Sequence, residues 1–280
     1  MFNITLFFRQ KYLYIALGFY LVKTFLVCYT FGVNRGKFMK VKVMGTSCTW
    51  FKRENTSYVI DDEIIFDVPN GTYKNLIKVM DLEKTKCVLI SHLHTDHFFD
   101  LRIIVTRFLR DFKDRPEKLR IYAPKGTAET LIEINRLVYG GFDECSEEYV
   151  KSKIEFFELS DGFEFEEGSY NIRAYKMNHS ILECFGFTFT DKKTGTVVGF
   201  SSDTAMCDNL HKMLSVSSYA FVEMASMEKC KTHLCCEEFE FLMAKYDKCK
   251  MFPVHTSDVC QEYAENNGLN YLVDGQTLNF

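Results

Sequence analysis

Residues 92–97 read His-Leu-His-Thr-Asp-His, an HxHxDH run directly after the apolar segment Cys87-Val88-Leu89-Ile90. A short apolar run bounded by polar residues reads as a buried strand. His92 and His94, two apart at its extended end, direct their imidazoles to the same side. Asp96 and His97 follow where the chain bends into the next element, and face that space from another direction. The whole chain has seven histidines, so three of them beside a carboxylate in one run point to metal ligation rather than to a solvated polar loop. A catalytic zinc takes three protein ligands plus water, so this run needs partners from elsewhere to serve two metals. His179 after the alternating run 172–177, Asp203 after the apolar run 197–201 and His255 after 251–254 each stand where an apolar segment meets a polar turn. That is where α/β folds place their chemistry.

The ordered set HxHxDH, His179, Asp203, His255 resembles the metallo-β-lactamase fold, and the resemblance covers residues 39–280. It implies an α/β four-layer αββα sandwich with a two-metal site at one edge. Carried over position by position, His92, His94 and His179 hold one ion, and Asp96, His97 and His255 hold the second. Asp203 bridges the two, opposite a hydroxide, and Asp96 is counted both as a ligand and as a catalytic group. Asp67 stands where the family has a carboxylate supporting the ligand loop; from the residues alone it is equally a turn residue capping Asn70-Gly71-Thr72. Asp100 stands where the family often has glycine. Two Zn²⁺ suit five imidazoles and two carboxylates, and Mn²⁺ or Fe²⁺ also fit.

A second constellation follows. Glu223 lies in the buried strand that begins Ala220-Phe221-Val222, and His233, in Lys231-Thr232-His233-Leu234, heads the helix 237–245. With His179-Ser180 and Phe185-Gly186-Phe187, this region resembles the ribonuclease Z branch and its shorter relatives, such as the cyclic phosphodiesterase of phosphonate breakdown. The resemblance implies that Glu223 orients His233 and that His233 donates a proton to the leaving oxygen. An alkoxide leaving phosphorus has a high pKa, so a general acid contributes about 10²–10⁴-fold. Histidine suits that task at neutral pH, and a carboxylate on its other nitrogen fixes the tautomer. Two divalent ions outweigh two carboxylates and a hydroxide, so the open site attracts a small anionic substrate.

Ribonuclease Z carries a long tRNA-holding arm between its third histidine and its bridging aspartate. Here only residues 180–202 separate His179 from Asp203, room for a tight strand pair and no arm. A net charge of −4 gives no strong nucleic-acid signal either. The expected function is therefore a two-metal phosphodiesterase acting on a small or cyclic phosphodiester. The alternatives are a hydrolase of a lactone, thioester or β-lactam on the same fold, and an RNA-processing endonuclease of the ribonuclease Z type. A binding protein with a dead site is disfavoured because all seven ligands are present.

Residues 39–280 read as one hydrolase domain. Residues 1–38 stand apart: 12–33 are apolar or uncharged except for Lys23, long enough to span a bilayer. Lys and Arg are in excess on the C-terminal flank, which keeps the catalytic domain in the cytoplasm if the segment is an anchor. The other reading is that Met39 is the true start. Eleven cysteines without paired spacing suit a reducing, cytoplasmic setting. Relatives are commonly dimers, so a homodimer is expected from the resemblance. A strand over 41–44, a hairpin around Asp61-Asp62 and a strand over 119–123 are expected. Helical spacing follows at Phe98, Leu101, Val105 and Phe108, and again over 127–138. Residues 156–167 read as short strands at the edge of the second sheet, and the acidic stretch 142–151 as exposed. The mixed-charge segment 107–120 reads as a solvated helix end, with a phosphate rim as the sharper alternative. His211 reads as a surface residue. Loops 46–57 and 139–152 are expected to wall the pocket.

Overall fold

The strand β1 (Lys40–Gly45) pairs antiparallel with β2 (Ser57–Ile60), which turns through Asp61-Asp62 into β3 (Ile64–Phe66). Both aspartates have positive φ, 54° and 60°, the hand that a two-residue hairpin turn requires. The Asp61 carboxylate is fixed from two sides, by the Lys40 N–H at 2.9 Å and the Tyr170 hydroxyl at 2.7 Å. The computed structural model describes residues 38–139 and 147–280. The apolar stretch 12–33 and residues 140–146 lie outside the described residues, and so does the first half, 142–146, of the acidic stretch read as exposed.

After β3 the chain changes from hairpins to parallel crossovers. Strands β4 (Cys87–Leu89), β5 (Leu119–Ala123) and β6 (Ile154–Glu158) add in parallel, and β13 (Thr277–Asn279) returns to pair with β1. The connecting helices are α1 (Thr72–Val79), α2 (Thr95–Phe98), α3 (Leu101–Arg110), α4 (Thr127–Tyr139) and α5 (Glu147–Lys153). The first sheet thus has the order β13-β1-β2-β3-β4-β5-β6. The second contains β7 (Glu164–Glu167), β8 (Tyr170–Met177), β9 (Cys184–Asp191), β10 (Val197–Phe200), β11 (Tyr219–Glu223) and β12 (Lys250–Val254), in the order β12-β11-β10-β9-β8-β7. Its helices are α6 (Asp208–Val216), α7 (Cys236–Lys245) and α8 (Asp258–Asn266).

Three apolar layers hold these elements together. Between the sheets lies an aromatic core in which Phe200 and Phe221 stack at 4.8 Å, with Tyr58 and Phe66 of the first sheet against Phe200. The outer face of the first sheet packs Ile65, Val88 and Ile121 against Leu76, Leu101, Val105 and Phe108 of the helices. The outer face of the second packs Ala220, Val222 and Met251 against Leu210, Phe239 and Ala264. The result is helix, sheet, sheet, helix, as the sequence implies.

Two expectations need correction. Residues 154–158 and 164–167 do not share an edge: β6 closes the first sheet and β7 the second. Both are short and half-exposed, so their local pattern carries no information about which sheet receives them. His211 is half-buried rather than exposed, with Nδ1 at 2.9 Å from the Tyr246 hydroxyl. The segment 107–120 matches the solvated-helix reading. Arg107 pairs with Asp111 at 2.7 Å, and Arg115 lies over the Phe108 ring.

Strands β8 and β10 are both antiparallel to β9 and so run the same way, and β11 and β12 continue parallel to β10. Every strand of the second sheet that carries a candidate ligand therefore ends at the same edge of that sheet. Replacing Phe221 by alanine in the central stack should lower unfolding stability by about 3–5 kcal/mol, read as a fall in the urea midpoint at unchanged m-value.

Candidate metal centre and active site

The HxHxDH run begins after β4, and His94, in extended conformation (φ −70°, ψ 148°), precedes the short helix α2, which carries Asp96 and His97. His179 follows β8, Asp203 follows β10, Glu223 ends β11 and His255 follows β12. Three residues at these ends have left-handed backbone: Asp67 (φ 57°), Ser202 (φ 51°) and His255 (φ 51°). Such conformations are uncommon outside glycine and concentrate at functional sites. Here they swing the chain out of each strand direction and turn the side chains toward one another.

The side chains converge closely. The ligand atoms of His92, His94, His179 and Asp203 lie within 4.8 Å of one another, as do those of Asp96, His97 and His255. His94 Nδ1 is 3.0 Å from His92 Nε2 and 3.1 Å from His179 Nε2. Asp203 reaches both groups, with Oδ2 3.7 Å from His179 Nε2 and 3.2 Å from His255 Nε2, and Oδ1 3.4 Å from His97 Nε2. The structure thus gathers all seven sequence-derived ligands and places Asp203 between the two sets.

The donor set fits metal ions. Burial holds His92, His179 and His255 below the usual histidine range, His255 down to about 4, so their inward lone pairs are free. Ring nitrogens meeting at 3 Å lone pair to lone pair repel unless a cation lies among them. His97 Nε2 and Asp203 Oδ1 are buried without a hydrogen-bond partner, as atoms reserved for coordination would be. Burial opposes charging His97, yet the carboxylates of Asp203 and Asp67 hold it well above its usual value, so this position attracts positive charge. Five imidazoles and two carboxylates are a zinc-type set, with manganese or iron as alternatives.

Outer contacts fix the rings, as metal-ligating histidines require. His179 Nδ1 donates to the Thr232 carbonyl at 2.9 Å, His92 Nδ1 lies 3.0 Å from the Ser91 hydroxyl, and His97 Nδ1 donates to Asp67 at 2.7 Å. Asp67 also accepts from the Ser91 N–H at 2.7 Å and the Ser91 hydroxyl at 2.8 Å. Of the two readings of Asp67, the structure shows the support of the ligand loop, since the cap of α1 is Gly71 with no side-chain hydrogen bond. Asp100, buried, accepts the Tyr73 N–H at 3.0 Å and leaves the ligands undisturbed.

His233 lies 2.9 Å from Glu223 through Nδ1, with its ring parallel to His255 and edge-on to His179. Glu223 is fully buried, and its second oxygen accepts the Thr204 N–H. Burial alone favours a neutral carboxyl and a neutral imidazole. Burial raises Glu223 to about 8, while the hydrogen bond and charge of Glu223 lift His233, against its own burial, to about 9. We assign the pair as carboxylate and imidazolium, because both Glu223 oxygens receive donors. The other ring nitrogen is left for the cavity, which holds about 640 Å³ and is also lined by His94, Asp96, Asp203 and His255.

The sequence profile described as anti-Pycsar protein Apyc1 matches residues 39–278. The chain belongs to that family. Ribonuclease Z of Leuconostoc mesenteroides subsp. mesenteroides is 31% identical over 129 residues, a match covering 46% of this chain and 38% of that protein. This chain thus spans well under half the length of that relative. Among solved structures, the metallo-β-lactamase fold protein YhfI of Bacillus subtilis superposes with a TM-score of 0.70 at 16% identity, covering 87% of this chain and all of that one. A diphosphatase of the PhnP family gives 0.68 at 15% identity, covering 86% and 98%. These likenesses show the fold of the Apyc1-family chain to be the metallo-β-lactamase sandwich.

Sequence reasoning missed Ser91, Thr204 and Cys184. The Cys184 sulfur lies 3.6 Å from His92 Nδ1 and 3.3 Å from the Asp203 carbonyl, binding the backs of two ligands. None of the three has a spacing signal, because each acts through contacts made only on folding. No helix among the described residues is long and apolar enough to cross a membrane. Asp67→Ala, which strips partners from Ser91 and His97, should destabilise even the metal-free protein by about 1–3 kcal/mol, measured by urea unfolding in chelator.

Proposed function

We propose that this Apyc1-family chain is a binuclear metal-dependent phosphodiesterase acting on a small or cyclic phosphodiester. The observation that carries the reading is the His233–Glu223 pair, whose His233 lines the same cavity as the candidate ligands His94, Asp96, Asp203 and His255. A thioester hydrolase needs the ligands but has less use for this acid, since a thiolate departs without a proton. Against a lactone or β-lactam, whose leaving groups also take a proton, the reading rests on the pair standing where the ribonuclease Z branch has its own. The names of the relatives, a ribonuclease Z and a PhnP-family diphosphatase, support cleavage at phosphorus.

His92, His94 and His179 would hold one ion, Asp96, His97 and His255 the second, with Asp203 shared. Bound there, the ions supply Lewis acidity and an activated water near neutral pH. The protein does the rest. Asp67, the Thr232 carbonyl and the Ser91 hydroxyl hold the imidazoles in position, so no reorganisation is needed when charge develops on phosphorus. Glu223 accepts the Nδ1 proton of the His233 imidazolium and so fixes the ring with its other N–H as the proton to give, and His233 gives that proton to the departing oxygen. When the proton leaves, Glu223 becomes partner to a neutral imidazole and keeps the ring in place for reprotonation.

The test is hydrolysis of bis(p-nitrophenyl) phosphate by the zinc- or manganese-loaded chain, with a lactone panel alongside. Diester turnover should vanish in excess chelator and fall at least 10³-fold in Asp203→Ala, on the order expected when a shared ligand is lost. His233→Ala should barely slow the p-nitrophenyl ester, whose leaving group needs no acid. It should slow an alkyl diester by about 10²–10⁴-fold. Equal loss on both substrates would remove the acid role of His233, and lactone turnover without diester turnover would remove the phosphodiesterase.

A further inference from the structure

Trp50 is the chain's single tryptophan. It lies in the loop between β1 and β2 and lines the same cavity as His94, Asp203 and His233, while remaining 94% exposed. Its φ of 82° places a bulky side chain in the left-handed region, a genuine outlier for such a residue. The ring is too exposed for packing to offset that strain, and an indole in water gains nothing for folding. An outlier that folding does not reward points to function.

The loop beneath Trp50 is anchored firmly to the candidate metal site. Gly45 lets the chain double back, since a Cβ there would lie 2.2 Å from the Asn55 carbonyl oxygen. Arg53 donates to Thr46 Oγ1 at 2.8 Å, to the Thr256 carbonyl at 2.8 Å, and to Gln261 Oε1 and the Ser257 carbonyl at 3.3 Å. Those contacts clamp the loop to the residues directly after His255. The Cys48 N–H donates to the Thr256 carbonyl, and the Thr49 hydroxyl to the Asp96 carboxylate. Trp50 is therefore the next residue along from a group bonded to a candidate ligand. Phe51, also exposed, and Leu93 extend the apolar wall on the same cavity.

We propose that Trp50, flanked by Phe51, is a specificity-determining platform, stacking on a planar aromatic substituent of the diester whose phosphate sits among the His and Asp side chains. This rests on the phosphodiesterase reading. The cavity floor is polar and takes an anion, whereas its rim is apolar and flat and takes a ring. Offset stacking on indole rewards a planar π-face beyond the area that it covers, so an aryl ester is preferred over an alkyl ester of similar charge.

Because the chain has one tryptophan, its emission reports this position alone. The zinc-loaded full chain is titrated with phenylphosphonate and, in parallel, with methylphosphonate, neither of which is hydrolysed. Phenylphosphonate should quench or blue-shift the emission saturably and methylphosphonate should not. By calorimetry, Trp50→Ala should raise Kd for phenylphosphonate roughly tenfold and leave that for methylphosphonate unchanged, while Trp50→Phe should recover most of the loss. No response to phenylphosphonate, equal affinity of the native chain for both anions, or an unchanged phenylphosphonate Kd in Trp50→Ala would overturn the platform. Loss of the diesterase reading alone would appear differently, as Trp50-dependent phenylphosphonate binding in a chain that turns over no diester.

Discussion

The structure depends on one buried carboxylate. Asp203 is 2% exposed and lies within 4.0 Å of ring nitrogens from five histidines, His92, His97, His179, His233 and His255. An isolated carboxylate at that depth would be strongly penalised. Its neighbours instead hold it well below the usual carboxylate range, against the effect of burial. The ends of β4, β8, β10 and β12 and the segment ahead of α7 have to meet around this one group, which constrains the register of both sheets together. The left-handed residues Asp67, Ser202 and His255 are where that constraint is met locally, each at the point where a strand stops and a side chain must turn inward.

Around that centre the fold separates two kinds of charged group by what surrounds them. The candidate ligands point inward with free lone pairs, and their outer nitrogens or oxygens are fixed by Ser91, Asp67 and Thr232. Glu223 is as buried as they are, but both of its oxygens are committed, one to Thr204 and the other to His233. It has no oxygen left without a donor, whereas Asp203 has its Oδ1. The distinction between a ligand and a group that orients an acid is therefore one of hydrogen-bond satisfaction, not residue type or depth.

This distinction also explains what the sequence could disclose. The HxHxDH run was legible because its ligands are neighbours, and local geometry forces neighbours on an extended end or a single helical turn to share a space. The positions of His179, Asp203 and His255 were legible as apolar runs meeting polar turns, and the tight pair 180–202 as too short for an arm. The role of Asp67 came only from the resemblance and stayed open on the residues alone, because its partners Ser91 and His97 lie beyond the end of another strand. The sheet that receives 154–158 was equally hidden, since a half-exposed edge strand carries the same pattern wherever it pairs. His211 was misplaced because its partner Tyr246 lies on a helix packed beside its own. Trp50 gave a signal that went unread: a lone tryptophan in a loop between two short strands has no core to enter.

The composition of the cavity wall bears on the size of the ligand. Among the described residues that line it, the ionisable ones are aspartates, histidines and cysteines, and there is no lysine or arginine. An extended polyanion needs a track of cationic side chains, one for each phosphate neutralised. Here any attraction for phosphate has to arise at the ligand cluster itself, at one point and over a short range. The hairpin β9–β10 closes in a turn where Asp191 accepts the N–H groups of Lys193 and Thr194, and it sends no excursion toward the cavity to extend that reach. On the proposed phosphodiesterase reading, a cavity of about 640 Å³ with a point source of charge at its floor and an aromatic ring at its rim suits a single small phosphodiester rather than a chain of phosphates.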